Sequence, residues 1–542
     1  MRHCTRRNML QSTGLMIGAM VFRGDAFSAE GALASGAISG EPTAAAIGQD
    51  ILNSGGNAVD AVLAAALAAT VVSPHNCGIG GYGGHMVLAL AQSRKIVSID
   101  FNTAAPARAD PRMFPVDENG VVRSKTNEYG WLSAGVPGTI AGIELAARKY
   151  ASRPFRDLLT PAIALAEDGF VAGKRLSSVI RTTAANLQKD PATAELYLPK
   201  GQPPQADEIV HNRDLARLLR TLAKENSIEP FYRGSIAREI ASAFQRNGGL
   251  VTLGDLSAYE AREVEPYELR WEGFSIYTAP LTAGGLTPVQ ALHTLQYLDW
   301  KLLTPVQKAH ARIEALRLAW ADRLALLGDP NFVAVPTARL LSREYAESRA
   351  GQIKNALKEG KPIALSFDVP ADGGTVNLSC ADTGGNLAAI TLTHGNSFGA
   401  QVTVPGLGLT LGHGMSRFDP RPDRPNSVGG AKRPLHNMCP TIVARDGRPL
   451  LALGGAGGRK IPNSIFDVLI SYCQSDGSVT TALETPRCHT VGDLNLTLEQ
   501  GWKESDIASL KVIGYKIQTG SGALVSTAAF DPATGLCRAA SR

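Results

Sequence analysis

Small and apolar residues recur at helical spacing over 44–72, and the period breaks once, at Asn53-Ser54-Gly55-Gly56-Asn57. The pattern predicts a helix, a glycine-rich turn and a second, buried helix from Ala58, because glycine permits the left-handed conformation that ends a helix. Glycines then crowd into Ser73-Pro74-His75-Asn76-Cys77-Gly78-Ile79-Gly80-Gly81-Tyr82-Gly83-Gly84, a density that requires tight turns or close backbone approach. Residues 86–91 and 95–101 read as paired strands. From 137 to 350 the texture is mostly helical, with apolar residues at three- and four-residue spacing in 158–167, 214–224, 236–246 and 309–327. From 371 onward short β runs take over. Residues 376–381 and 387–393 flank a turn at Asp382-Thr383-Gly384-Gly385-Asn386, and 441–444 and 450–453 flank Asp446-Gly447. A helix over 465–473 follows. These patterns establish a mixed α/β chain without an internal repeat.

Composition narrows the function. The chain has 542 residues, which allows about two to four domains. A net charge of +5 is slight for this size, and no dense Lys/Arg run interleaves with aromatics, so no nucleic-acid partner is expected. Beyond the N-terminus no apolar run is long enough to span a bilayer. The N-terminus reads as an address. Thr5-Arg6-Arg7-Asn8-Met9-Leu10-Gln11 is a twin-arginine pattern, an apolar stretch covers 14–22, and Ala26-Phe27-Ser28-Ala29 offers small residues for cleavage. The expectation is a signal over 1–29 and a periplasmic or secreted protein with no membrane span in its mature form. Cys4 would leave with that signal. The scattered spacing of Cys77, Cys380, Cys439, Cys473, Cys488 and Cys537 leaves disulfides and buried thiols both open. No Cys/His pair has metal-ligand spacing, so no metal is expected.

One place carries distinctive chemistry. Asp372-Gly373-Gly374-Thr375 stands just before a predicted strand. Threonine is common in strands, so the pair Gly374-Thr375 alone says little. Gly374, however, has no side chain to shield its carbonyl from the Thr375 hydroxyl. Attack there shifts the acyl group from nitrogen to oxygen, and water then releases two chains. Thr375 becomes an N-terminus whose own α-amine, with a pKa of about 8, can serve as base for its hydroxyl.

Several blocks, in order, resemble the γ-glutamyltranspeptidase family. They are Ile51-Leu52-Asn53-Ser54-Gly55-Gly56-Asn57-Ala58-Val59-Asp60-Ala61, Pro74-His75 with Gly78-Ile79-Gly80-Gly81, and Val136-Pro137-Gly138-Thr139. They continue with Ala321-Asp322-Arg323, Leu327-Gly328-Asp329-Pro330, and Lys432-Arg433-Pro434-Leu435 with Met438 and Pro440-Thr441-Ile442. The resemblance implies an α/β (α+β) fold, the four-layer αββα sandwich of N-terminal nucleophile hydrolases, built from both autoprocessed fragments. It implies a large fragment over 30–374, a small fragment over 375–542, and a heterodimer of the two. It places Thr375 on the nucleophile, Thr393 on a second threonine that hydrogen-bonds it, and Gly457-Gly458 on the glycine pair that forms the oxyanion hole. Backbone donors suit that last role, because a tetrahedral oxyanion needs preorganised N–H groups. On sequence alone, Gly457-Gly458 also fits a plain turn before a helix. No cofactor is implied, since the threonine supplies both base and nucleophile. The reactants are a small-molecule amide and a water or amine acceptor.

The substrate-binding positions depart from the family. Its arginine is Asn102, its acid is Arg417, the amide near that acid is Gly414, the asparagine after the second threonine is Gly395, and its serine pair is His436-Asn437. The change from acid to Arg417 reverses the charge offered to a ligand, unless Arg417 faces solvent or pairs with Asp419. The expected function is an acylase or amidohydrolase for a carboxylate-bearing, non-glutamyl acyl group. Two alternatives stay open: a γ-glutamyltransferase or glutathione hydrolase with a rearranged pocket, and a non-catalytic exported binding protein.

Overall fold

Alternation along the strands divides the core into layers. In strand Gly374–Asp382, Val376, Leu378 and Cys380 turn one way; in strand Leu387–Gly395, Ala388, Ile390 and Leu392 do the same, and all six join a core with helices Pro42–Asn53 and Ala58–Val72. The opposite faces carry Ala381, Leu387 and Ala389, which meet Ile442, Ala452 and Ala528 of a second sheet. Beyond that sheet, Leu451, Leu453 and Val525 pack with helices Leu286–Leu295 and Lys460–Gln474. A period of two thus sends alternate residues to a helical layer and to the facing sheet. The outcome is the four-layer αββα arrangement that the family resemblance implies.

This computed structural model describes residues 35–118, 120–365 and 374–542. The first sheet has six strands in the order Gly36–Ser39, Gly374–Asp382, Leu387–Gly395, Gly83–Leu90, Lys95–Asp100, Arg262–Val264. The second also has six, in the order Leu536–Ser541, Leu524–Asp531, Arg448–Ala456, Thr441–Arg445, Phe274–Thr278, Tyr267–Trp271. Every neighbouring pair in both is antiparallel. Segments on both sides of Gly374 contribute to each sheet. The signal expected over 1–29 lies outside the described residues, as do residues 366–373 ahead of Gly374.

The turn at 53–57 forms as expected. Gly55 has φ +84°, and Asn57 and Asp60 cap the second helix reciprocally, each side chain accepting from the other's backbone N–H. That helix is buried on every side. Asp382 accepts a 2.8 Å hydrogen bond from Ala58 N, tying the helix start to the end of the strand that begins at Gly374. Asp446 and Gly447 both have positive φ, which is the two-residue hairpin turn their sequence favours. The helix expected over 465–473 begins earlier, at Lys460. Within the mostly helical middle, the pattern missed Arg262–Val264, Tyr267–Trp271 and Phe274–Thr278. These strands are short, and their alternation covers too few residues to stand out among helices. The six described cysteines are free and buried, which settles the open choice in favour of thiols. No described helix is long and apolar enough to cross a membrane.

Candidate active site

The hairpin of Gly374–Asp382 and Leu387–Gly395 contains an irregularity at its open end. Leu392 lies opposite Val376 and Gly395 opposite Gly374, so Thr393 and His394 together face Thr375. Such a bulge re-aims side chains. Here it turns the Thr393 hydroxyl onto the peptide ahead of Thr375. Thr393 Oγ1 donates to the Gly374 carbonyl and accepts from Thr375 Oγ1 at 3.5 Å and from Gly395 N at 2.8 Å. Gly374 must be small: a Cβ there would lie 2.9 Å from Asn76 Oδ1. The Asn76 amide is itself held by Ser73 Oγ and His75 Nε2. The glycine-rich loop thus closes over the Gly374–Thr375 bond.

Thr375, buried to 9 % exposure, opens onto a small cavity of about 10 Å³ lined by Tyr82, Gly374, Gly395, Arg417, Asn437, Met438, Gly458 and Ile461. Among the residues expected to bind substrate, Gly395, Arg417 and Asn437 are therefore brought together. Arg417 ends a short 3-10 turn, Gly414–Arg417, and Asn426 Nδ2 holds its carbonyl at 2.7 Å. The Asp419 carboxylate is engaged by Arg421 at 2.9 Å. Arg323 reaches Asn437 Oδ1 at 3.3 Å, which leaves the Asn437 amide nitrogen as a buried donor without a partner among the described residues.

Asn102 and His436 are not among the lining residues. Asn102 is fully buried, and its amide donates to Thr282 Oγ1 at 2.8 Å and to the Pro434 carbonyl at 2.7 Å. It joins two loops and lies behind the wall. His436 is turned inward against His85, ring centroids 4.7 Å apart. Burial first, then His85 and the positive charges of Arg323 and Arg417, drive its pKa well below the ordinary histidine value. Its Nδ1 accepts from Met438 N, so Nε2 carries the proton of the neutral ring. Gly395 has φ +93°, and a Cβ there would strike His413 Nε2 at 1.9 Å, so no side chain fits where the family has asparagine.

Gly457 and Gly458 follow strand Arg448–Ala456 with φ +141° and +60° and precede helix Lys460–Gln474. Their carbonyls accept from Lys460 and Ile461, while neither amide has a partner among the described residues. Free N–H groups at the start of a long helix attract negative charge. The site is thus a hydroxyl next to a polarised carbonyl, with Gly458 and a guanidinium on the same small pocket and Gly457 adjoining it in the chain. That set suits acyl transfer.

Tyr82, Met438 and Ile461 were not anticipated as wall residues. Tyr82 stood in a glycine loop whose signal was backbone geometry, Met438 in a block that resembles the family without a role of its own, and Ile461 in no motif.

Comparison with known proteins agrees with this geometry. The family profile described as Gamma-glutamyltranspeptidase matches residues 44–541. The chain is 34 % identical to the glutathione hydrolase proenzyme of Escherichia coli (strain K12) over 495 residues, 88 % of this chain and 84 % of that protein. It is equally, 34 %, identical to the Acylase ACY 1 proenzyme of Pseudomonas sp. (strain V22), covering 89 % of this chain and 86 % of that one. The crystal structure of cephalosporin acylase from Bacillus halodurans superimposes with a TM-score of 0.85 at 26 % identity, over 97 % of each chain. The chain belongs to the gamma-glutamyltranspeptidase family and is a hydrolase of the N-terminal nucleophile fold.

Proposed function

We propose that this protein is exported through its twin-arginine segment, cleaves itself between Gly374 and Thr375, and then hydrolyses amides whose acyl group carries a carboxylate and no α-amine. Fragments 30–374 and 375–542 would stay together as a heterodimer, because each sheet takes strands from both. Identity to glutathione hydrolases and to acylases is alike, so the pocket has to discriminate between them. One observation carries the reading: Arg417 lines the same cavity as Thr375, and Asn102 does not.

In the precursor the Thr375 hydroxyl attacks the Gly374 carbonyl carbon. The hydroxyl proton passes by way of Thr393 to the Thr375 nitrogen, the C–N bond breaks, and the resulting ester is hydrolysed by water. The freed α-amine then takes the hydroxyl proton as Thr375 attacks a substrate carbonyl. The Gly457 and Gly458 amides stabilise the oxyanion. The amine returns the proton to the leaving group, and water or an amine releases the acyl group. A cation at 417 attracts an acyl carboxylate and repels the ammonium of a γ-glutamyl group.

The test is mass measurement and N-terminal sequencing of the purified protein, followed by specificity constants for glutaryl and γ-glutamyl p-nitroanilides. A new N-terminus at Thr375 and a preference for glutaryl are expected. A strong γ-glutamyl preference would return the protein to the glutathione hydrolase reading and leave Thr375 as nucleophile. A single intact chain with no hydrolysis would favour a binding protein.

A further inference from the structure

Tyr82 lines the same pocket as Thr375 and Arg417 and is 5 % exposed. Close backbone packing fixes the segment that carries it. Gly83 has φ +107°, and a Cβ there would lie 1.9 Å from the Phe101 carbonyl oxygen. A Cβ on Gly412 would lie 2.4 Å from Tyr82 N, and one on Gly414 would lie 2.9 Å from Tyr82 Cβ. Gly414 occupies the position where the family resemblance calls for an amide side chain. Thr103 Cγ2, 2.5 Å from the same Cβ position, and the Tyr82 Cβ together leave no room for such a side chain, so the wall beside Tyr82 lacks that polar contact.

Behind that wall lies a polar compartment. The Tyr82 ring is 6.4 Å from that of His436, which packs on His85. His436 Nε2, His85 Nδ1 and Asn102 Oδ1 are buried there without hydrogen-bond partners among the described residues. Buried polar atoms in this state are ready to receive a ligand or water.

We propose that Tyr82 is a specificity-determining residue that sets the length of acyl chain this enzyme accepts, closing the cavity off from the His85–His436–Asn102 compartment. The proposal rests on the cavity being the acyl site. Short acyl groups fit in front of the ring. Removing the ring opens space from the pocket toward these buried groups and admits a longer chain, whose far end meets the unpartnered donors and acceptor.

The experiment compares the unmodified protein, Tyr82→Phe and Tyr82→Ala on p-nitroanilides of succinyl, glutaryl, adipyl and pimelyl groups, and on uncharged butyryl and hexanoyl anilides. Cleavage at Gly374–Thr375, read by mass, reports that each variant has folded; if Tyr82→Ala does not cleave, Tyr82→Leu takes its place. The unmodified protein and Tyr82→Phe should share one chain-length profile. Tyr82→Ala should move the optimum by at least one methylene and raise the long-to-short ratio of kcat/KM on the order of tenfold, mainly through KM. A cleaved, active Tyr82→Ala or Tyr82→Leu with an unchanged profile overturns the proposal. A shift that appears equally in the uncharged series, without any preference for carboxylates, upholds Tyr82 and rejects the carboxylate reading.

Discussion

The Thr393 hydroxyl donates its hydrogen bond to the carbonyl oxygen of Gly374 while it accepts from the hydroxyl of Thr375. In the proposed self-cleavage the two contacts would act on opposite partners of one reaction. Attack by Thr375 places negative charge on the Gly374 oxygen, where Thr393 already offers a donor. The same attack releases a proton from Thr375, toward the oxygen that can accept it. The bulge that sets two residues, Thr393 and His394, against Thr375 makes this possible.

Thr393→Val should therefore slow self-cleavage by about 10²–10³, the usual loss when one oxyanion donor is removed. Valine keeps the shape and removes the hydroxyl. Gel analysis over time should show a persistent single chain, and Thr393→Ser should restore cleavage. Cleavage of Thr393→Val at the unmodified rate would show that the hydroxyl is structural.

Thr375→Ala removes the attacking hydroxyl and with it the mature nucleophile. It should remain one chain and lack hydrolase activity, while its melting temperature stays close to that of the unmodified protein, since the hydroxyl makes a single long contact of 3.5 Å. Intact mass, calorimetry and an anilide assay check the three statements. Efficient processing of this variant would move the cleavage site elsewhere.

Much of the site's placement was legible in the sequence because it is carried by local signals. Gly374-Thr375 ahead of a β run, Thr393 near the end of the next run and Gly457-Gly458 before a helix all stand where those signals put them, in the folded hairpin and the strand–helix turn. The contacts that depend on distant chain segments were not legible. Asn102 matches a substrate-binding position in order, but Thr282 and Pro434, remote in sequence, draw its amide away from the cavity. Gly395 looked like a lost asparagine, and only the His413 ring behind it shows why no side chain fits. Strand Phe274–Thr278 was missed because it depends on pairing with Thr441–Arg445, which no local window contains, and Tyr267–Trp271 in turn pairs with Phe274–Thr278.

Acid should destabilise the fold through histidines that are buried neutral. Burial foremost holds His75, His85 and His310 down to about 4 and His394 and His413 to about 3. In the unfolded chain they titrate at about 6.5. Between those values the unfolded state binds more protons, so stability rises with pH across the window. The contribution is complete above about pH 6.5 and is lost as pH falls through the folded values. His310 tests this away from the cavity. It lies 4.0 Å from Glu314, yet burial and then Arg317 favour its neutral form. Denaturant unfolding between pH 7 and 4 should give His310→Leu a shallower slope, by up to one proton, than the unmodified protein. An unchanged slope would remove His310 from the acid response.

The charge at 417 is the remaining prediction, and the geometry limits how it can be tested. Restoring both family charges would require Asn102→Arg, but Asn102 is fully buried between Thr282 and the Pro434 carbonyl. The acid beside it, Asp100, is already paired with Arg433 at 2.7 Å, and an unpaired buried charge costs about 3–5 kcal/mol, so that variant should fold poorly. Arg417→Asp is the cleaner change, since Arg417 already lines the cavity beside Thr375. It removes one charge-assisted hydrogen bond to an acyl carboxylate, a loss of about 1.5–3 kcal/mol. At about 1.4 kcal/mol per decade this lowers kcat/KM for glutaryl anilide by about one to two decades. The new acid also attracts an ammonium, so γ-glutamyl anilide should improve while self-cleavage proceeds. Arg417→Gln separates the two effects: it loses the carboxylate contact without gaining the acid, so the glutaryl rate should fall and the γ-glutamyl rate should rise less. If glutaryl turnover is the same in all three proteins, Arg417 does not contact the acyl group, and the carboxylate preference has to be sought at Asn437 instead.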